Sequence, residues 1–135
     1  MKVASNNGQI SANLKQRLGR KGERAARRHL KKQGYRFLAS NYATDRGEVD
    51  LIMQQDRTIV FVEVKTRQEE SFATGEDAVN WGKQIRIEAA ARHFINKHQL
   101  HDFPLRFDVV AIAMPESGKP NVRHYESAFL PCRQK

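Results

Sequence analysis

The chain has 135 residues, the size of one domain, and is long enough to bury a core without disulfides or a structural metal. Its 39% apolar content, gathered in blocks of Val, Ile, Leu and Phe, excludes an intrinsically disordered chain, and no apolar run approaches the roughly 20 residues of a membrane span. The formal charge of +9 is unevenly placed: residues 1–46 carry twelve Lys/Arg against Glu23 and Asp45, whereas residues 47–135 carry twelve against thirteen acids.

That asymmetry favours a polyanionic partner, and nucleic acid fits best, because the basic segment is short of the bulky apolar residues that enter lipid. The plainer alternative is a solvated helix face that keeps the protein soluble. The start of the chain, Met1 to Asn13, is polar and lacks a signal-like apolar stretch, and the single cysteine, Cys132, cannot form an internal disulfide. The expectation is a cytoplasmic protein.

In chain order, residues 1–11 read as a flexible tail and 12–135 as one α/β domain. From about Ala12 to Gln33 the residues Leu14, Leu18, Gly22, Ala25, Ala26 and Leu30 recur at helical spacing. Gly19 and Gly22 are candidate breaks, and Gly34 supplies a left-handed stop. The opposite face of this helix carries Arg20, Lys21, Arg24, Arg27, Arg28, Lys31 and Lys32. Tyr35–Leu38 reads as a short strand, with a loop from Asn41 to Gly47. Glu48–Met53 and Ile59–Lys65 are β-branched and apolar, so they read as strands joined through Gln54–Thr58. Thr74-Gly75-Glu76-Asp77 resembles a capping box opening a second helix. The apolar stripe of that helix is Ile87, Ala90, Ala91, Phe94 and Ile95, and it ends near His98. Leu105–Ala113 reads as a buried strand and Val122–Tyr125 as a short last strand with a helical turn after it.

The hairpin around Asp56-Arg57 carries the chemistry. A turn centred there pairs Val49, Leu51 and Met53 with Val64, Val62 and Val60 as one apolar face, and a one-residue slip would destroy that face. The other face then holds Glu48 opposite Lys65, Asp50 opposite Glu63 and Ile52 opposite Phe61. Two carboxylates directly across a ladder destabilise it, raise one pKa or recruit a cation. Oxygen donors of this kind suit Mg²⁺, which keeps several waters and accepts phosphate oxygens as further ligands. Lys65, two residues beyond Glu63, can orient a water or neutralise charge on a phosphate. Glu48–Lys65 as an ordinary cross-strand ion pair is the rival reading. Glu23 is the only acid from Lys15 to Lys32, among nine basic residues. It reads either as a third carboxylate reaching the site or as an i,i+4 partner of Arg27.

Taken together, Gly22-Glu23, Gly47-Glu48-Val49-Asp50-Leu51-Ile52, Phe61-Val62-Glu63-Val64-Lys65-Thr66-Arg67 and Arg106-Phe107-Asp108-Val109-Val110 resemble the bacterial YraN family of small uncharacterised proteins. That family is similar to archaeal Holliday-junction resolvases and to the PD-(D/E)XK nuclease-like superfamily, with Val49 standing where the superfamily name has proline. The resemblance spans about residues 14–130. It implies a restriction-endonuclease-like core, a mixed β-sheet flanked by helices in the order α-β-β-β-α-β. It implies catalytic roles for Glu23, Asp50, Glu63 and Lys65, with Asp50, Glu63 and Glu23 toward a Mg²⁺ ion for which Mn²⁺ can substitute, and the Val64 carbonyl as a further contact. Lys83 and Gln84 resemble an auxiliary position that touches substrate or water.

The functional expectation is a Mg²⁺-dependent endonuclease hydrolysing phosphodiesters of DNA, branched or structured DNA included, with RNA left open. The alternative is a catalytically inactive nucleic-acid-binding accessory protein of the same fold. Candidate nucleic-acid contacts are Arg20, Lys21, Arg24, Arg27, Arg28, Arg46, Arg67, Lys83 and Gln84. Resolvase relatives suggest a homodimer, and no membrane partner is expected. Three further groups read as structural: His93, His98 and His101 lack a zinc pattern, Asp108 pairs with a basic residue, and Trp81, Phe72 and Tyr42 are core residues or base-stacking candidates.

Overall fold

The computed structural model of the chain describes residues 3–68 and 79–131, with side chains described from Asn13 onward. Its elements are α1 (Val3–Lys32), β1 (Arg36–Ala43), β2 (Glu48–Gln55), β3 (Thr58–Arg67), α2 (Trp81–His98), β4 (Leu105–Ala113) and β5 (Asn121–Phe129). One five-stranded sheet runs in the order β1-β2-β3-β4-β5. β3 and β4 are parallel, joined by the crossover that contains α2, and the other neighbours are antiparallel. This is the mixed α/β class expected, consistent with a nuclease-like core.

The two helices cover opposite faces. Ala26 and Leu30 of α1 bury with Leu51, Met53, Val60, Val62, Val110 and Ile112. On the other face Ile87, Ala90, Ala91, Phe94 and Ile95 of α2 bury with Ile52, Phe61, Phe107 and Val109, the stripe its spacing predicts. Each large side chain fully buried this way contributes roughly 1.5–3 kcal/mol relative to exposure. Close approach is needed at two glycines. A Cβ on Gly22 would overlap the Thr66 side chain, and one on Gly47 would overlap the backbone carbonyl of Arg86. These contacts seat α1 against the end of β3 and α2 against the start of β2.

Several boundaries differ from the sequence expectation, each for a physical reason. α1 begins at Val3 and passes unbroken through Gly19 and Gly22, and residues 3–11 carry no apolar stripe to announce a helix. β1 extends to Ala43 through an irregularity between Phe37 and Ala39 that interrupts its alternation. α2 opens at Trp81 with Asn80 as its cap, the Asn80 side chain accepting from the Lys83 N–H. The capping box at Thr74–Asp77 lies outside the described residues. In place of a terminal helical turn, β5 continues to Phe129, past an irregularity opposite Phe107 and Val109.

The β2–β3 register is the one the hydrophobic pattern demands, from Leu51 opposite Val62 to Gln55 opposite Thr58. The single continuous apolar face is not formed, however. Val49 packs with Ile52 on the α2 side and not with Leu51 on the α1 side. The cause is Asp50, whose Oδ2 accepts a hydrogen bond from the Val64 N–H at 2.8 Å. A side chain takes the place of the next backbone rung there, so β2 and β3 fork.

Asp108 has the pairing role expected. It is fully buried and receives Arg106 Nε and Nη2 at 2.8 Å each, His124 Nε2 at 2.7 Å and the Ser127 N–H at 3.0 Å. Arg106 also donates to the Tyr35 hydroxyl, just before β1, and to Gln55 of β2, tying the start of β1 and the end of β2 to β4 and β5. Burial raises the Asp108 pKa, but the bonds from His124, Arg106 and Ser127 outweigh it and hold the carboxyl below its ordinary value.

Candidate functional site

The site lies at the fork of β2 and β3. Asp50 is committed to the Val64 N–H on one oxygen, so it sits between the diverging strands. Glu63, on β3 just past the last rung of the ladder, is only 7% exposed and is hydrogen-bonded with Asp50. Burial first, and then the Asp50 charge, push the Glu63 carboxyl from 4.5 up to about 8. Such a pair opposes folding, since a buried carboxylate beside a second one cannot ionise without cost unless a cation compensates.

Lys83, in the first turn of α2, brings a cation against the pair, its Nζ 3.4 Å from Glu63 Oε2. The bond from its own N–H to Asn80 fixes the backbone of Lys83, and the Gly47–Arg86 contact fixes the approach of α2. Gln84, next along, donates to the Val79 carbonyl at 2.7 Å and so serves the opening of α2. Lys65 is half-buried on the same strand two residues beyond Glu63, and Arg67 follows it. Glu48 meets Arg86 at 3.8 Å, an ion pair between β2 and α2.

Glu23 approaches from α1, on the other face. Burial and then Asp50 raise its pKa, while a hydrogen bond from the Asn41 side chain pulls it down. Asp50 is thus the common neighbour of Glu23 and Glu63. Among the described residues, no three His, Cys, Asp or Glu side chains stand close enough together to hold a metal ion as placed. The arrangement is a carboxylate pair with Glu23 set beside it.

Around Glu23 the basic helix face forms a pocket of about 230 Å³ lined by Arg20, Arg24, Arg27, Ser40, Asn41 and Leu51. Arg27 is held there by its guanidinium lying 3.5 Å over the Phe37 ring. Arg28, with Lys31 and Lys32, lines the next hollow along α1. Lys21 turns elsewhere, toward Met114 and the β4–β5 connection. Arg46 is exposed in the turn that Thr44 closes onto Gly47. The candidate nucleic-acid residues therefore divide between the site rim and more distant surface.

The remaining candidates are dispersed. His93 contacts the Tyr42 hydroxyl, His98 packs on Phe94 and His101 contacts Asn96. Trp81, two residues before Lys83, is 65% exposed, while Phe72 lies outside the described residues. Asn41 was not among the sequence candidates. Its signal is an asparagine in a strand at φ 49°, a conformation asparagine tolerates better than most residues.

Fold and site together define a small mixed α/β protein with a buried glutamate and a half-buried aspartate in contact at the fork of its central hairpin, flanked by an arginine-rich helix. Residues 22–112 match the Uncharacterised protein family UPF0102, the YraN family, and the chain belongs to it. A UPF0102 protein of Alkaliphilus metalliredigens is 42% identical over 108 residues, covering 80% of this chain and 92% of the relative. One from Alkaliphilus oremlandii is 40% identical over 118 residues, covering 86% and 100% respectively. One from Caldicellulosiruptor bescii is 46% identical over 111 residues, covering 82% and 91%. No helix among the described residues is long and apolar enough to cross a membrane.

Proposed function

We propose that the protein is a Mg²⁺-dependent nuclease acting on DNA, branched or structured DNA included, through the Asp50–Glu63 site. The observation that supports this most is the contact between the buried Glu63 carboxyl and the half-buried Asp50. The Val64 N–H occupies one Asp50 oxygen but gives no partner to Glu63, and bringing the two carboxyls together requires that a proton or a cation offset their charge. The donor set is all oxygen, which suits a hard cation that retains waters. Asp50 and Glu63 would hold the ion, with the Val64 carbonyl beside them. When bound, it supplies positive charge against phosphate oxygens and a Lewis-acidic site.

The chain's own groups do the rest. Lys65, on the strand of Glu63, orients the attacking water and meets charge developing on the phosphate. Glu23, aided by Asn41, holds further water or sugar–phosphate groups at the α1 side. Arg20, Arg24 and Arg27 bind flanking phosphates without reading sequence. Trp81 offers an exposed ring on which a displaced base can stack. The likeness to resolvases and PD-(D/E)XK nucleases supports this assignment by analogy of fold and motif.

The test is incubation with supercoiled DNA, single strands, four-way junctions and structured RNA in Mg²⁺ or Mn²⁺. Wild type cleaves at least one substrate, and Asp50→Asn and Glu63→Gln each lose about a hundredfold or more. Identical behaviour of wild type and Glu63→Gln on every substrate rejects the reading. A second reading, an inactive nucleic-acid-binding protein, draws support from the Lys83–Glu63 ion pair, which balances charge without an ion. It requires salt-sensitive DNA binding that Asp50→Asn leaves intact and no cleavage under any condition.

A further inference from the structure

We infer that Lys83 is an internal counter-ion for the acidic pair, one that a divalent cation must displace and that then moves to a nucleic-acid phosphate. The inference rests on the proposed metal site and adds a competition to it. Lys83 Nζ is 3.4 Å from Glu63 Oε2, so it engages the carboxylate that an ion held by Asp50 and Glu63 would use. An ammonium and a divalent ion cannot share that carboxylate at close range without strong repulsion. The Lys83 side chain is 35% exposed whereas that of Glu63 is 9% exposed, so the lysine has a path outward and the carboxylate does not. Its backbone is held by Asn80, which leaves the long side chain as the moving part. Arg86, on the next turn of α2, faces Glu48 at 3.8 Å instead.

Two consequences follow. In the free protein Lys83 weakens divalent-ion binding. With nucleic acid present, the displaced ammonium gains a phosphate partner, so ion and nucleic acid bind cooperatively, and each raises the affinity of the other by the same factor. Lys83 is accordingly a positioning residue that couples the two.

Calorimetric titration of Mn²⁺ into the full chain tests this, using wild type, Lys83→Met and Lys83→Arg, with folding checked by circular dichroism. Lys83→Met should bind Mn²⁺ about tenfold more tightly than wild type, and Lys83→Arg should resemble wild type. A short DNA duplex, added at 4 °C before any cleavage is detectable, should tighten Mn²⁺ binding to wild type several-fold and to Lys83→Met by much less. Equal or weaker Mn²⁺ affinity in folded Lys83→Met overturns the inference while leaving the metal site standing. Absence of Mn²⁺ binding in both proteins overturns the inference and the metal reading together.

Discussion

Replacing Glu63 with glutamine should make the protein more stable in alkaline solution and leave it unchanged in acid. The Glu63 carboxyl, raised from 4.5 to about 8, keeps its proton in the folded chain over that interval and loses it in the unfolded chain. The folded state therefore binds the extra proton, and stability falls as pH rises from about 4.5 to 8. Each pH unit is worth about 1.4 kcal/mol, which sets a ceiling near 5 kcal/mol. Asp50 and Glu63 share the titration and Lys83 relaxes toward the charge, so about 2 kcal/mol is the working figure. At roughly 2–4 °C per kcal/mol for a chain of this size, Glu63→Gln should melt about 4–8 °C above wild type at pH 8.5 and within about 1 °C of it at pH 5. Thermal melts by circular dichroism at the two pH values, with and without Mg²⁺, read this directly. Mg²⁺ should recover most of the difference in wild type at pH 8.5 and do nothing to Glu63→Gln. Parallel melting curves for the two proteins across the whole range would refute the account of a strained acidic pair.

Three other outcomes follow from the same geometry. Gly22→Ala should destabilise by about 2 kcal/mol in urea unfolding despite the better helix propensity of alanine, because the added Cβ meets the Thr66 side chain at the α1–β3 contact. Asp108→Asn should cost about 3 kcal/mol, since it leaves Arg106 and His124 without their shared buried anion, and the wild-type contribution should fade as pH drops through the lowered Asp108 pKa. Arg24→Ala and Arg27→Ala, on the rim of the Glu23 pocket, should each reduce the slope of log affinity for DNA against log salt by about one, measured by fluorescence anisotropy.

The apolar pattern of the hairpin predicted its register from Leu51–Val62 to Gln55–Thr58, which pairs apolar side chains across the two strands. The same kind of local repetition marked the buried stripe of α2 and the extent of β4, and Gly34 takes the positive φ expected of a helix stop. That register predicts Asp50 opposite Glu63, but the ladder ends at Leu51–Val62, and the two carboxyls meet where the strands fork.

Tertiary structure decided what periodicity does not carry. Whether Asp50 continues the ladder or forks it depends on a side chain replacing a backbone bond, and that moved Val49 to the other core. Lys83 reaches Glu63 only because a crossover helix lies against the start of β2 at Gly47, where no side chain stands in the way. Asn41 meets Glu23, and β5 extends to Phe129 beside the Asp108 network, through contacts between segments far apart in the chain. Local sequence specifies which face a residue occupies; which residues meet across elements is set by how closely packed surfaces approach.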